Sequence, residues 1–370
     1  MATNDTGPRR DSPDQIGRYR IVERIGRGAM GMVYRARDEA MDRDVAVKVM
    51  MADLEDDPDI RVRFHREAQA AARLSHPNII TIFDVGEDGN RFYIVMELLR
   101  GTTLKDFVRH ERTPLERKLD LMIQLCAGLG AAHNASIYHR DIKPGNLFVR
   151  SDGTLKVLDF GVARLASSSM TTAGLIVGTP DYMSPEQARG DQIDGRSDIF
   201  SVGGVFYFML TGRKPFPASD LPSVFHQVET EDPLPLESRE APPALANVVM
   251  KALVKDKRMR YQTCEELMAD LVRLRPQYPL DDRPLDEPTG DEGPMTMEYG
   301  NAGPTDETVD SMPPPSFDSG DTVTISTMST RSTWAKQVGD RVESAISGVI
   351  GRLRSSGKPA RVKGAGERKG

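Results

Sequence analysis

Arg20-Ile21-Val22-Glu23-Arg24-Ile25 alternates in the manner of a half-buried strand, and the β-prone run Met32-Val33-Tyr34-Arg35-Ala36-Arg37 follows closely. Gly26-Arg27-Gly28-Ala29-Met30-Gly31-Met32-Val33-Tyr34 joins them as a glycine-rich turn, so the predicted unit is a hairpin. Val45-Ala46-Val47-Lys48 is an apolar strand ending in a lysine, and residues 61–72 read as a helix in which Glu67 is the only acid. The most apolar run, Ile199 to Leu210, is shorter than the roughly 20 residues a bilayer span takes, and predicts a buried central helix. Beyond Pro276 the periodicity disappears. A stripe returns only at Trp334, Val338, Val342 and Ile346, widened by Ala345, Val349, Ile350 and Leu353, with Lys336, Gln337, Asp340, Arg341 and Glu343 on other faces. Gly339, Gly348 and Gly351 each cost about 1 kcal/mol relative to alanine, so this amphipathic helix should be marginal alone.

Composition sharpens the division. The chain has 370 residues, enough for a two-lobed domain with sequence to spare, and a formal net charge of -6. That figure hides an asymmetry. Residues 276–330 are rich in Pro, Gly, Thr and acid pairs such as Asp281-Asp282 and Asp291-Glu292, and are expected to form a disordered linker. From Arg331 onward ten basic residues face three acids, a net +7. The only two cysteines, Cys126 and Cys264, have no metal-ligand spacing and read as buried or half-buried thiols. The N-terminal residues lack the apolar core of a signal peptide, and no internal repeats are evident. A cytoplasmic protein without a membrane span is expected.

The chemistry concentrates in His139-Arg140-Asp141-Ile142-Lys143-Pro144-Gly145-Asn146, followed after a short hairpin-like stretch by Asp159-Phe160-Gly161. This order matches the signature of a phosphotransfer centre: Asp141 as the base for an attacking hydroxyl, Asn146 and Asp159 as ligands for a divalent cation. The glycine-rich turn alone is weak. A dinucleotide-binding reading would need its third glycine, Gly31, to open a helix, whereas here a β-prone run follows. Lys48 is then placed to meet the α- and β-phosphates of a nucleotide, with Glu67 as its candidate ion-pair partner.

Together these motifs resemble the eukaryotic-type (Hanks-type) serine/threonine protein kinases of bacteria, over about residues 18–275. The resemblance implies a bilobal α+β kinase fold: a small β-rich lobe at 18–97, a larger helical lobe at 98–275, a disordered segment at 1–17, the acidic linker at 276–330 and the basic tail at 331–370. It implies transfer of the γ-phosphoryl of ATP to protein Ser or Thr hydroxyls with Mg²⁺, or alternatively Mn²⁺. Ile25, Gly26, Gly28 and Gly31 would cover the nucleotide, Val33, Ala46 and Phe148 would sandwich adenine, and Met96 would be the gatekeeper before a hinge of Glu97, Leu98 and Leu99. Lys143 matches the serine/threonine subclass, where it contacts the transferred phosphate. Ala71, Ile82, His139 and Phe160 fall where the family stacks its regulatory spine. Thr179 would hydrogen-bond near Asp141 and Lys143, and Asp198 would brace the catalytic loop. The closing Ser184-Pro185-Glu186 carries serine where the family usually has alanine. Glu186 would pair with Arg260, the alternative being two unrelated surface charges.

Two other classes share part of this pattern. A small-molecule kinase of related fold would not be expected to carry the segment ending in Ser184-Pro185-Glu186. A pseudokinase scaffold usually lacks one of the positions matched by Lys48, Asp141 or Asp159. Protein substrates are the expected partners, and no nucleic acid is expected. Thr171 and Thr172, in the hydroxyl-dense patch 167–172, are candidate phosphosites that Arg140 could pair with, modified in trans within a transient homodimer. The tail helix is expected to fold on an anionic membrane or a partner's groove, against the alternative of a disordered basic tail. Thr322-Val323-Thr324-Ile325, once phosphorylated, is a weaker candidate for docking a phosphothreonine-reading domain.

Overall fold

The computed structural model describes residues 13–28, 31–50, 68–89, 91–110, 113–160, 180–218 and 220–278. Its first part is built by strand alternation. Strands β1 (Gln15–Ile16), β2 (Tyr19–Gly28), β3 (Gly31–Asp38), β4 (Arg43–Met50), β5 (Ile82–Asp88) and β6 (Arg91–Glu97) form one antiparallel sheet in the order β1-β2-β3-β4-β6-β5. Because successive side chains of a strand point to opposite faces, the sheet makes two cores. Val45, Val47 and Val49 join Ile16, Tyr19, Tyr34 and Val95 on one face. Ala46 and Met50 join Ile25, Val33, Met96 and Phe148 on the other. Lys48 lies between Ala46 and Met50, so the same parity turns it to the second face.

The glycine-rich turn is shorter than the sequence suggests. β2 runs through Gly26 to Gly28 and β3 starts at Gly31, with Gly28 paired to Gly31. Ala29 and Met30 lie outside the described residues. Register shifts fall between Ile21 and Glu23 and between Arg24 and Gly26, while Val22, on the outward face of the alternating run, is 46% exposed. Gly31 has a packing reason as well: a Cβ there would come within 2.0 Å of the Val49 carbonyl oxygen on β4. Of the helix expected at 61–72, residues 68–72 are described and are helical; Glu67 lies outside the described residues.

The second part is helical. The apolar run is the core of α4 (Gly195–Thr211), following α1 (Leu104–His110), α2 (Leu115–Asn134) and the single-turn α3 (Pro185–Ala188). Asp194 caps α4 by accepting from the Arg196 N–H, and Gly212, at φ 71°, ends it in the left-handed conformation. Around it pack α2 and α6 (Pro243–Ala252), while α5 (Leu221–Thr230) packs on α3 and α7 (Cys264–Leu274) on α2. Cys126 and Cys264 are buried and free, and burial pushes both thiols up. A short turn, Arg275–Gln277, closes the part, with Arg275 donating to both carboxylate oxygens of buried Asp120. No helix among the described residues is long and apolar enough to cross a membrane.

A small antiparallel sheet joins β7 (Gly101–Thr103), directly after the first sheet, to β8 (Leu147–Arg150) and β9 (Leu155–Val157), which follow α2 and flank the site residues. The Ile80 N–H donates to the Val157 carbonyl at 2.9 Å, and the Val157 N–H to that of Asn78 at 2.8 Å. These bonds tie the segment entering β5 to the strand that delivers Asp159.

Candidate active site

The loop between α2 and β8 is irregular backbone, so its polar groups must find partners elsewhere. Buried Asp198 on α4 supplies them: one carboxylate oxygen accepts from the His139 N–H at 2.8 Å, the other from the Arg140 N–H at 2.7 Å. His133, on α2, bonds the first oxygen at 2.8 Å. Burial alone would raise the Asp198 carboxyl. The His133 bond, the nearby His139 and the Arg140 N–H outweigh it and hold the group below the usual carboxylate range. The His139 ring spans the loop. Its Nε2 lies 2.7 Å from the Leu158 carbonyl, which can only accept, and its Nδ1 accepts from the Asp141 N–H at 3.2 Å. These partners select the Nε2–H tautomer.

Two residues here adopt φ values that side chains disfavour, Arg140 at 67° and Asp159 at 54°. Each stands beside the chemistry, where such conformations persist only if the surroundings over-determine them. Asp141 accepts from Lys143 Nζ at 2.8 Å and from the Asn146 amide nitrogen at 2.9 Å. The same nitrogen donates to the Asp141 carbonyl at 2.8 Å, and the Leu158 N–H donates to the Asn146 carbonyl at 2.9 Å. Lys48 and Asp159 meet directly at 2.7 Å across the cleft. The structure therefore gathers Asp141, Lys143 and Asn146 in one hydrogen-bonded cluster and Lys48 with Asp159 in a second. Glu67, Thr171, Thr172 and Thr179 lie outside the described residues, as does the whole tail.

The apolar floor joins both lobes. Val33, Ala46, Met96, Leu99 and Phe148 share one buried cluster with Ile25. Ala71, Ile82 and Phe160 line a common cavity with Met96, and His139 meets the Phe160 ring edge-on at 4.8 Å. Glu186 and Arg260 pair through two bonds of 2.7 and 2.8 Å, both side chains buried, so they are not unrelated surface charges.

Sequence reasoning missed two side chains. Glu97 was read only as part of the hinge, yet its carboxylate accepts from Lys156 Nζ at 2.6 Å and from the Thr81 N–H at 2.8 Å. Lys156 Nζ also reaches the Ile79 carbonyl at 3.0 Å, which couples the hinge to β9. Burial opposes ionisation of Glu97, but Lys156 and Thr81 prevail and hold it below the usual range. The second is Gln187, whose amide nitrogen donates to the Arg140 carbonyl at 2.8 Å. A signal for it existed: the Ser-x-x-Gln spacing of Ser184 and Gln187 is a helix-capping pattern.

Residues 19–277 match the family model described as the protein kinase domain. The chain belongs to the protein kinase family. It is 43% identical over 276 residues to the serine/threonine-protein kinase PknB of Mycobacterium leprae, covering 72% of this chain and 44% of that relative. It is 45% identical over 268 residues to PknB of Mycobacterium tuberculosis, covering 70% of this chain and 43% of the relative. The chain thus spans less than half the length of these relatives. Among solved structures, a point mutant of the Mycobacterium tuberculosis PknI kinase domain superposes with a TM-score of 0.57 at 26% identity, over 69% of this chain and 95% of that one. The curled sheet, the helical lobe and the site between them are the protein kinase fold. Use of ATP and a divalent cation is general to this family.

Proposed function

We propose that this chain is a serine/threonine protein kinase that transfers the γ-phosphoryl of ATP to hydroxyls of protein substrates. The observation that carries the reading is the cluster of Asp141, Lys143 and Asn146, built on a loop held by Asp198 and tied by the Leu158 N–H to the segment carrying Asp159 of the Lys48–Asp159 pair. In the reaction the substrate oxygen bonds to the γ-phosphorus, the bond from that phosphorus to the β,γ-bridging oxygen breaks, and ADP leaves. Asp141 takes the hydroxyl proton. Its Oδ2 is engaged by Lys143 and Asn146, and Oδ1 is the oxygen we assign to the incoming hydroxyl. Lys143 follows the charge that develops on the transferred group, and Lys48 holds the remaining phosphates. Ile25, Gly26, Gly28, Gly31, Val33, Ala46, Met96, Leu99 and Phe148 form the nucleotide's enclosure, with Glu97 contributing hinge backbone and Glu67 pairing with Lys48.

The donor set suits a hard divalent cation. Asp159 offers a carboxylate, Asn146 commits its amide nitrogen to Asp141 and so presents its oxygen, and among the described residues no cluster of three or more His, Cys, Asp or Glu is placed to cage a metal. Few protein ligands completed by phosphate and water is the pattern of Mg²⁺, and Mn²⁺ accepts the same oxygens. Bound there, such an ion neutralises phosphate charge. Asp159→Asn and Lys48→Met should each lower phosphorylation by about a hundredfold or more, a loss of about 3 kcal/mol of transition-state stabilisation. Labelling at the wild-type rate by either folded variant would sink that assignment.

We further assign the catalytic domain to 18–275, with lobes at 18–97 and 98–275, flanked by the segments 1–17, 276–330 and 331–370. Activation is by phosphorylation at Thr171 or Thr172 in trans between two copies, with Arg140 as the phosphate's partner. The double Thr171→Ala, Thr172→Ala variant should lose most activity towards a protein substrate; full activity refutes the mechanism. The amphipathic helix within 331–370 folds on an anionic membrane surface, aided by the basic residues that follow it. Circular dichroism of the 331–370 peptide should show helix gained on anionic vesicles. No gain would leave a protein groove, or no structured role, for the tail; Thr322 or Thr324 in the linker, once phosphorylated, is a separate and weaker docking candidate.

A further inference from the structure

Gln187 makes two kinds of bond with one amide. Its oxygen accepts from the Ser184 N–H and hydroxyl, both at 3.0 Å, while the Ser184 hydroxyl receives the Gln187 N–H at 3.4 Å. This is a capping box for α3, and a glutamate would serve it equally well. The other end of the amide donates to the Arg140 carbonyl at 2.8 Å, 47 residues away in sequence. Only glutamine can do both, since a carboxylate has no N–H to give.

Arg140 immediately precedes Asp141 and holds a φ of 67°, which L side chains disfavour. Its N–H is fixed by Asp198 at 2.7 Å. The next peptide group, whose carbonyl is Arg140's and whose N–H is Asp141's, is fixed by Gln187 on one side and by His139 Nδ1 at 3.2 Å on the other. Removing the Gln187 bond leaves that peptide held by His139 alone and so loosens the orientation of the Asp141 side chain that follows it. The element supplying Gln187 is itself anchored by its neighbour Glu186, buried against Arg260.

We propose that Gln187 is a positioning residue for Asp141, linking the anchored end of the 180–188 segment to the backbone of the catalytic base. The proposal rests on the phosphotransfer reading above. Its effect falls on turnover and not on nucleotide affinity, because Gln187 touches neither the hinge nor Lys48.

The test uses the full chain with Mg-ATP, measuring kcat and KM for ATP at a fixed concentration of casein, together with Tm. Gln187→Glu keeps the acceptor that caps α3 and loses the donor to Arg140. It should hold Tm within about 2 °C and KM for ATP within about twofold while kcat falls about tenfold or more. Gln187→Met has no side-chain N–H and no carboxylate charge but also loses the capping acceptor; it should lower Tm while showing the same split between kcat and KM, and separates the lost donor from the added charge of the glutamate variant. A kcat within twofold of wild type in either folded variant overturns the proposal, as does a loss expressed wholly in KM. The wild type in the same assay separates the two failures. A wild type that labels neither itself nor casein removes the phosphotransfer reading and the proposal with it, whereas an active wild type with unchanged variants removes only the bridge.

Discussion

Glu186 and Arg260 should prove to be a pair whose halves are more costly to lose singly than together. Their side chains are 2% and 0% exposed, and the guanidinium binds both carboxylate oxygens. Deleting one partner of a buried pair strands the other charge, a loss of about 3–5 kcal/mol, whereas replacing both by apolar groups is often neutral. The contacts predict an order within that range. In Glu186→Leu the stranded guanidinium keeps the carbonyls of Arg196, Val254 and Lys255 and its place over the Phe200 ring at 4.8 Å. In Arg260→Met the stranded carboxylate keeps the Ser197 hydroxyl at 2.7 Å and its own backbone N–H, two neutral donors. Arg260→Met should therefore be the worse. At roughly 2–4 °C per kcal/mol for a domain of this size, the single variants should lose about 6–20 °C in Tm. The double variant should sit well above the sum of the two losses. Thermal and urea denaturation of all four proteins gives the cycle. Additive losses, or Glu186→Leu being the less stable single variant, would refute the reasoning.

Carboxylates held low by their partners make stability fall in acid. Asp194 is held at about 2, chiefly by its bond to Arg196, and Glu186 is held below its ordinary value by Arg260 against the opposing effect of burial. Both folded values lie below the unfolded ones, so the stability they add is complete at neutral pH and is lost as pH falls from about 4 toward the folded values. Urea midpoints should be level near neutrality and decline below about pH 4; a midpoint that rose on acidification would contradict this. Lys156→Met should strand the Glu97 carboxylate at the hinge and raise KM for ATP about fivefold, equivalent to about 1 kcal/mol, with kcat within about twofold. An unchanged KM in the folded variant would show that the Lys156 contact does not support the hinge.

How much of this could be read from the chain depended on the range of the interaction concerned. Periodicity is a property of a single element. Val45 to Lys48 read as an apolar strand ending in a lysine, though which face Lys48 takes needed the sheet, and the apolar run from Ile199 was enough to predict a buried central helix. Asp141, Asn146 and Asp159 came to one chemistry because their order matches the phosphotransfer signature, a match of motifs and not a consequence of spacing alone. Family resemblance supplied the longer pairings that recur across kinases, such as Glu186 with Arg260.

Partners set only by packing were a different matter. The Glu97 carboxylate meets Lys156 across 59 residues, and the Gln187 amide meets Arg140 across 47. Neither follows from the residue types, since a glutamate in a hinge and a glutamine in a surface-like helical turn are each ordinary alone. The role of Gly31 was legible only in part: a glycine-rich turn announced itself, but its close approach to the Val49 carbonyl appears only when β3 lies against β4. The sequence by itself determined which faces are apolar, where the turns fall and which side chains have chemistry to offer. Tertiary structure decided which of those side chains meet, because a hydrogen bond fixes its partners to within a few tenths of an ångström and that precision exists only after the elements have packed.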